Sequence, residues 1–210
     1  MDLFITGTDT GIGKTLVAAA FIQGFAEQGL KTVGMKPIAS GQDGDAEKLM
    51  EESNVSVPKA FVNPYAFQEP ISPHLAAHYA NVHIDIGEVS YCYRQLKRLA
   101  DVVVIEGAGG ILCPLSATQT MLDLAVALGL PVVFVVGLRL GCINHALMTE
   151  TMLLSAGLTV KGWVANLVDP AMRFVEDNLH TLRQRLQSSC LGVIPHGAST
   201  VEVKTLLFPR

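Results

Sequence analysis

The chain has 210 residues, half of them hydrophobic and 16% charged; that is enough to bury a substantial core in one α/β domain and excludes a disordered chain. A formal net charge of −4 gives no basic footprint for nucleic acid, although a local nest of backbone N–H groups can bind phosphate whatever the overall charge. Cys92, Cys113, Cys142 and Cys190 include no C-x-x-C pair; they read as reduced thiols, and with no basic, apolar leader at the N-terminus the expected location is cytoplasmic.

In chain order, residues 3–6 form a β-branched, apolar run, and residues 14–28 carry a helical pattern. A weaker strand signal follows at 32–35. Residues 37–75, rich in Gly, Pro, Ser and Asp, read as one long irregular region. Beyond it come a helix at 86–99, a strand at 102–105, a helix at 121–128, a strand at 132–136 and a helix at 144–156. A strand at 160–165, a helix at 171–186 and a weak strand at 191–194 complete the alternation. Continuous apolar strands separated by helices predict a doubly wound, mainly parallel sheet covered on both faces. Residues 121–138 are long and apolar enough to raise a membrane span. However, Asp123 lies inside that stretch and Gly129-Leu130-Pro131 breaks it, so the expectation is helix, turn and strand, with no membrane contact.

The first strand runs into Gly7-Thr8-Asp9-Thr10-Gly11-Ile12-Gly13-Lys14-Thr15 and then into a helix. The closing G-K-T is that of a P-loop, although the full G-x-x-x-x-G-K-[ST] pattern wants glycine where Thr8 stands. Gly11 and Gly13 permit the positive φ angles that turn successive N–H groups toward phosphate oxygens. Lys14 can reach β- and γ-phosphates, the Thr15 hydroxyl can hold Mg²⁺, and the helix start adds its positive dipole end. The expected ligand is therefore ATP with Mg²⁺, and the fold class a single P-loop NTPase-like domain spanning residues 1–210.

A phosphate loop alone specifies no reaction. In Val102-Val103-Val104-Ile105-Glu106-Gly107-Ala108-Gly109-Gly110 a carboxylate ends a buried strand, where it can share the metal held by Thr15. Asp43 and Asp45 sit in the loop after the second strand, and on spacing alone either could join the metal. Lys36, read by itself, is a strand-end lysine kept extended by Pro37.

The blocks Gly7-Thr8-Asp9-Thr10, Gly13-Lys14-Thr15, Lys36-Pro37-Ile38-Ala39-Ser40-Gly41, Asn63-Pro64-Tyr65 and Glu69-Pro70-Ile71-Ser72-Pro73-His74 occur in this order. Glu106-Gly107-Ala108-Gly109-Gly110, Leu140-Gly141-Cys142-Ile143-Asn144-His145 and Gly162-Trp163-Val164-Ala165-Asn166 follow. Together they resemble the dethiobiotin synthetase family. The resemblance implies a cyclo-ligase of biotin synthesis that closes a cyclic urea on 7,8-diaminononanoate with CO₂ and ATP. It also implies roles for single residues. Lys36, with Lys14, would be catalytic, offsetting charge on a carbamate as it takes the γ-phosphoryl group. Nucleotide contacts would fall on Gly11, Ile12, Gly13, Lys14, Thr15 and Leu16, on Glu106, Gly107, Ala108 and Gly109, and on Asn166, Leu167, Pro195, His196 and Gly197. Asn166 resembles the residue that meets the adenine edge. His196 stands where an apolar or aromatic residue is expected. The metal would be held by Thr15, Asp45 and Glu106, with Asp43 as the alternative to Asp45. Thr10 and Ser40 would touch the diamine, while His74 takes no role.

The resemblance further implies a homodimer with a composite substrate site, in which Gly141, Cys142, Ile143 and Asn144 at a helix start receive the distant carboxylate. Two other activities share the fold class. Partitioning and division-site ATPases carry a second lysine early in the loop, where this chain has Asp9, and their membrane-binding members end in a basic amphipathic helix that residues 200–210 do not offer. A P-loop amidotransferase needs a glutamine-hydrolysing portion for which no length remains.

Overall fold

The structure is a computed structural model and describes residues 2–41 and 44–209. Asp43, the alternative metal ligand, lies outside the described residues. The chain opens on strand β1 (Leu3–Gly7), buried throughout, passes the glycine-rich turn into helix α1 (Lys14–Glu27), and returns as β2 (Thr32–Met35). Residues 37–75 are more regular than their Gly and Pro content suggests. They hold β3 (Ile38–Ser40), α2 (Asp45–Glu52), α3 (Lys59–Val62), β4 (Tyr65–Phe67) and the start of α4 (Pro73–Tyr79). None of these exceeds 8 residues, too few for a hydrophobic period to register.

Helix α5 (Ile86–Lys97) leads to β5 (Val102–Glu106), and α6 (Met121–Leu128) to β6 (Val132–Leu138). Helix α7 (Cys142–Ser155) begins two residues earlier than the pattern indicates, because Gly141 takes a left-handed turn (φ 93°) that starts it. Strand β7 (Val160–Leu167), helix α8 (Val175–Arg185) and strand β8 (Cys190–Ile194) follow. A last helix, α9 (Thr200–Leu207), opens on a capping box between Ser199 and Glu202. The sequence reading passed over it, although S-x-x-E is a helix-start signature.

Six strands form a parallel sheet in the order β2-β5-β1-β6-β7-β8, and β3 pairs with β4 in a small separate sheet. Side chains alternate between the two faces. Phe4, Val103, Ile105, Phe134 and Trp163 enter one core, packed by α5, α6, α7 and α8. Leu3, Ile5, Val104, Val135 and Val164 enter the other, with α1, Leu49 of α2 and Val203 of α9. This double cover is why the strands read as unbroken apolar runs. Gly34 in β2 is held by contact: a Cβ there would lie 2.7 Å from both Ile22 of α1 and Leu49 of α2.

Asp123 is explained by capping, since its Oδ2 accepts from Thr120 N at 2.6 Å and closes the box at the start of α6. Gly129 ends α6 in a left-handed conformation (φ 63°) before Pro131. Among the described residues no helix is long and apolar enough to cross a membrane. Because every strand runs the same way, the carboxyl ends of β1, β2, β5, β6, β7 and β8 share one edge. Chain order reverses beside β1, and it is at such edges that open α/β sheets take ligands.

Candidate active site at the carboxyl edge of the sheet

The phosphate loop has the geometry its glycines predict. Gly11 (φ 69°) and Gly13 (φ 90°) sit in the left-handed region, and Lys14 begins α1. The buried Lys14 ammonium folds back to donate to the Asp9 carbonyl at 2.7 Å. Burial, then the neighbouring Lys36 charge, lowers its pKa to about 8. Asp9 itself pairs with Arg139 just beyond β6, so a guanidinium stands at the mouth of the loop.

Beneath the loop, four side chains converge, three from α1, α2 and β5 and the fourth, Lys36, from just past the end of β2. Thr15 Oγ1 lies 2.7 Å from Asp45 Oδ1 and 2.9 Å from Glu106 Oε1. Lys36 Nζ donates to Asp45 Oδ2 at 2.6 Å and to Glu106 Oε1 at 2.5 Å. Lys36 is 4% exposed and Glu106 1%. Burial works against the Lys36 charge, but the Glu106 and Asp45 carboxylates outweigh it and hold its pKa above the ordinary lysine value. Burial also opposes the Asp45 charge, and there Lys36 and the Thr15 hydroxyl win, lowering the carboxyl pKa.

This donor set fits a hard divalent cation. It offers two carboxylates and a hydroxyl, all oxygen. The single Thr15 proton cannot serve both carboxylates at once. Glu106 Oε2 is buried with no hydrogen-bond partner among the described residues, and burial pushes this carboxyl up against the pull of Lys36. An additional positive charge would answer both defects. Asp45, the first residue of α2, is the aspartate that meets Thr15 among the described residues.

These groups line a cleft of about 640 Å³, whose walls also include Gly11, Gly13, Ala108 and Gly109 from the expected nucleotide set. Thr10 and Ser40, the expected diamine contacts, line it too, and Ser40 Oγ is buried there without a partner among the described residues. Ile12 and Gly107 are buried behind the loop, and Leu16 is half-buried. Asn166, at the end of β7, donates from Nδ2 to the Ile12 carbonyl at 2.8 Å. Its neighbour Leu167 has a carbonyl 3.1 Å from His196 Nδ1. Leu167 and Pro195 line a second, apolar cavity of about 670 Å³ between α8 and α9. Pro195, His196 and Gly197 are exposed.

Gly141, Cys142, Ile143 and Asn144 do not reach this cleft. They start α7, where Cys142 is buried with its N–H on the Arg139 carbonyl at 3.0 Å. His74 Nδ1 sits 2.9 Å from Ser72 Oγ, a local contact at the start of α4.

A family model described as an AAA domain matches residues 1–204. The chain is 46% identical over 197 residues to the ATP-dependent dethiobiotin synthetase BioD of Nitrosospira multiformis, covering 92% of this chain and 87% of that protein. It belongs to the dethiobiotin synthetase family. Membership makes it an enzyme of the ligase class, as the motif blocks led us to expect. Solved structures similar to it show the fold. The septum site-determining protein MinD of Pyrococcus horikoshii, complexed with Mg-ADP, matches with a TM-score of 0.63 at 16% identity, over 96% of this chain and 85% of that one. A MinC:MinD complex from Aquifex aeolicus gives 0.60 at 17% identity, over 99% and 86%. A ParA family ATPase from Chlorobium tepidum gives 0.56 at 12%, over 98% and 91%.

The structure adds residues to this cleft that sequence reasoning passed over. Pro70, Ile71, Ser72, Pro73 and Cys113 line it. The first four lie in a family block that carried no assigned role, while Cys113 had no signal beyond its distance from the other cysteines. The Asp9–Arg139 pair links positions 130 residues apart, and no local pattern marks it.

Proposed function

We propose that this enzyme closes a cyclic urea on 7,8-diaminononanoate, using CO₂ and ATP and giving dethiobiotin, ADP and phosphate. The observation that carries the reading is the convergence under a phosphate loop of Lys36 and Thr15, each within 3 Å of both the Asp45 and the Glu106 carboxylate, in a family of ATP-dependent ligases. One substrate amine adds to CO₂, forming a C–N bond and releasing a proton to give a carbamate. The carbamate oxygen takes the γ-phosphoryl group and ADP leaves. The second amine attacks the resulting mixed anhydride at carbon, phosphate departs, and the ring closes.

The work left to the protein is positioning and fixed positive charge in a place shielded from water. The loop N–H groups and Lys14 bind the phosphates, so the Lys14 ammonium exchanges the Asp9 carbonyl for phosphate oxygen. Lys36 offsets charge on the carbamate and on the transferring group. The Ser40 hydroxyl, without a partner among the described residues, orients the diamine together with Thr10. Mg²⁺, held by Thr15, Asp45 and Glu106, would supply charge neutralisation on the ATP phosphates. Asn166, Leu167, Pro195, His196 and Gly197 contact the base. The Asn166 Nδ2 donates to the Ile12 carbonyl, which fixes the amide and presents its carbonyl oxygen as an acceptor for the adenine amino group.

The same reading includes a homodimer. The substrate carboxylate lies far from its amines, and we infer that a second copy receives it at the start of α7. There the N–H groups of Ile143 and Asn144 precede the first helical hydrogen bond. Leu140, adjacent, is 97% exposed, an apolar side chain that a partner surface would cover. A product assay tests the reaction. Diamine, ATP, Mg²⁺ and ¹³C-bicarbonate should give a product carrying one ¹³C at the ureido carbon, seen by mass spectrometry, with one ADP formed per ring. ADP formation without a labelled ring would exclude this chemistry.

A further inference from the structure

Lys36 is held at its ammonium by two carboxylates, but its backbone lies outside the main sheet. It follows the last residue of β2, and Pro37 after it has no N–H to donate. The residues that fix it are Val62, the last of α3, and the Asn63-Pro64-Tyr65 block that follows, to which the chemistry above gives no task. Lys36 N donates to the Val62 carbonyl at 3.0 Å. The Lys36 carbonyl accepts from Asn63 Nδ2 at 2.7 Å, and the same nitrogen donates to the Tyr65 carbonyl at 3.1 Å. Tyr65 N completes the clasp by donating to the Pro37 carbonyl at 3.1 Å. Asn63 is 8% exposed, and its own N–H is taken by the Lys59 carbonyl at 2.8 Å.

We infer that Asn63 is a positioning residue for Lys36, acting through the lysine backbone and touching no reactant; the inference rests on the role given to Lys36 above. The clasp needs two N–H donors on one short-stemmed atom, which the asparagine amide supplies. Aspartate, of the same size, would turn an acceptor toward two carbonyls. Alanine would leave the buried Lys36 carbonyl and the half-buried Tyr65 carbonyl without this donor. Either change frees the segment to shift while Asp45 and Glu106 still draw the ammonium, and a displacement of about 1 Å at a reacting group can cost on the order of 100-fold in rate.

The test is a double-mutant cycle read by single-turnover phosphate release at saturating ATP, diamine and bicarbonate. Asn63→Ala should lower the rate by about ten- to a hundredfold while ATP affinity, measured by calorimetry, stays within about twofold. In a Lys36→Ala background the same change should cost less than about twofold, because the residue it acts through is gone. If the alanine variant does not fold, Asn63→Asp takes its place in the cycle. An equal loss in both backgrounds would make Asn63 a general structural residue and overturn the inference, as would a wild-type rate in the single variant. Wild-type turnover by Lys36→Ala alone would instead overturn the role proposed for the lysine, and the positioning role with it.

Discussion

At the scale of single residues the site is a set of charges arranged to be completed by its ligands. Thr15 has one hydroxyl proton and two carboxylate neighbours, at 2.7 and 2.9 Å. Thr15→Val keeps the side-chain shape and removes the oxygen. We expect the Mg²⁺ concentration for half-maximal turnover to rise at least about tenfold, or about 1.4 kcal/mol of lost binding, with thermal stability little changed. An unaltered Mg²⁺ dependence would remove Thr15 from the metal site. Lys14 and Thr15 were legible in the sequence because they belong to one local pattern, in which strand, glycines and helix start fix their geometry. Lys36 was not legible on its own terms, since a strand-end lysine is ordinarily solvated. Its partners are 9 and 70 residues away, and only folding shows that the ammonium is buried between carboxylates.

Elements carry these residues into register, and β2 shows how tightly. Gly34 lets α1 and α2 close on the strand, with Ile22 and Leu49 each 2.7 Å from where a Cβ would stand. Because α2 begins at Asp45, Gly34→Ala should act at two levels. Overpacking should destabilise the protein by about 1–3 kcal/mol in denaturant titration, and the outward shift of α2 should weaken Mg²⁺ activation. Wild-type stability and wild-type Mg²⁺ dependence together would show that the strand–helix contact yields without moving the site. The long strands and helices could be read from the sequence because burial on both faces, or on one stripe, leaves a pattern over many residues. The short elements between residues 37 and 75 leave none, and their turn-forming composition hid β3, α2, α3 and β4. Helix α9 carried its S-x-x-E start in the sequence, but not what holds it in place. Its holding contacts are tertiary: the Phe208 ring just beyond it packs edge-on against Phe21 and Phe25 of α1, 5.7 and 5.3 Å between centroids.

At the scale of the whole molecule, the fold is shared with the septum site-determining protein MinD and a ParA family ATPase, so the sheet alone does not decide the activity. Asp9, paired with Arg139, occupies the loop position where those proteins are expected to carry a second lysine, and α9 holds Lys204 as its sole basic residue. If two copies share each substrate site, mixing inactive subunits should restore function. Lys14→Ala disables the phosphate loop, and Asn144→Glu places a negative charge where the carboxylate is proposed to sit. After subunit exchange, confirmed by mass spectrometry, half of the randomly paired dimers would hold one intact site, giving about a quarter of wild-type activity. No recovery would confine each site to one chain. The reaction itself is tested most directly by phosphate release from ATP with and without the diamine and bicarbonate. A ligase of this kind should release phosphate in step with ring closure, and only slowly when either co-substrate is omitted. Equal release in all conditions would contradict it, leaving a nucleotide hydrolase on the same fold.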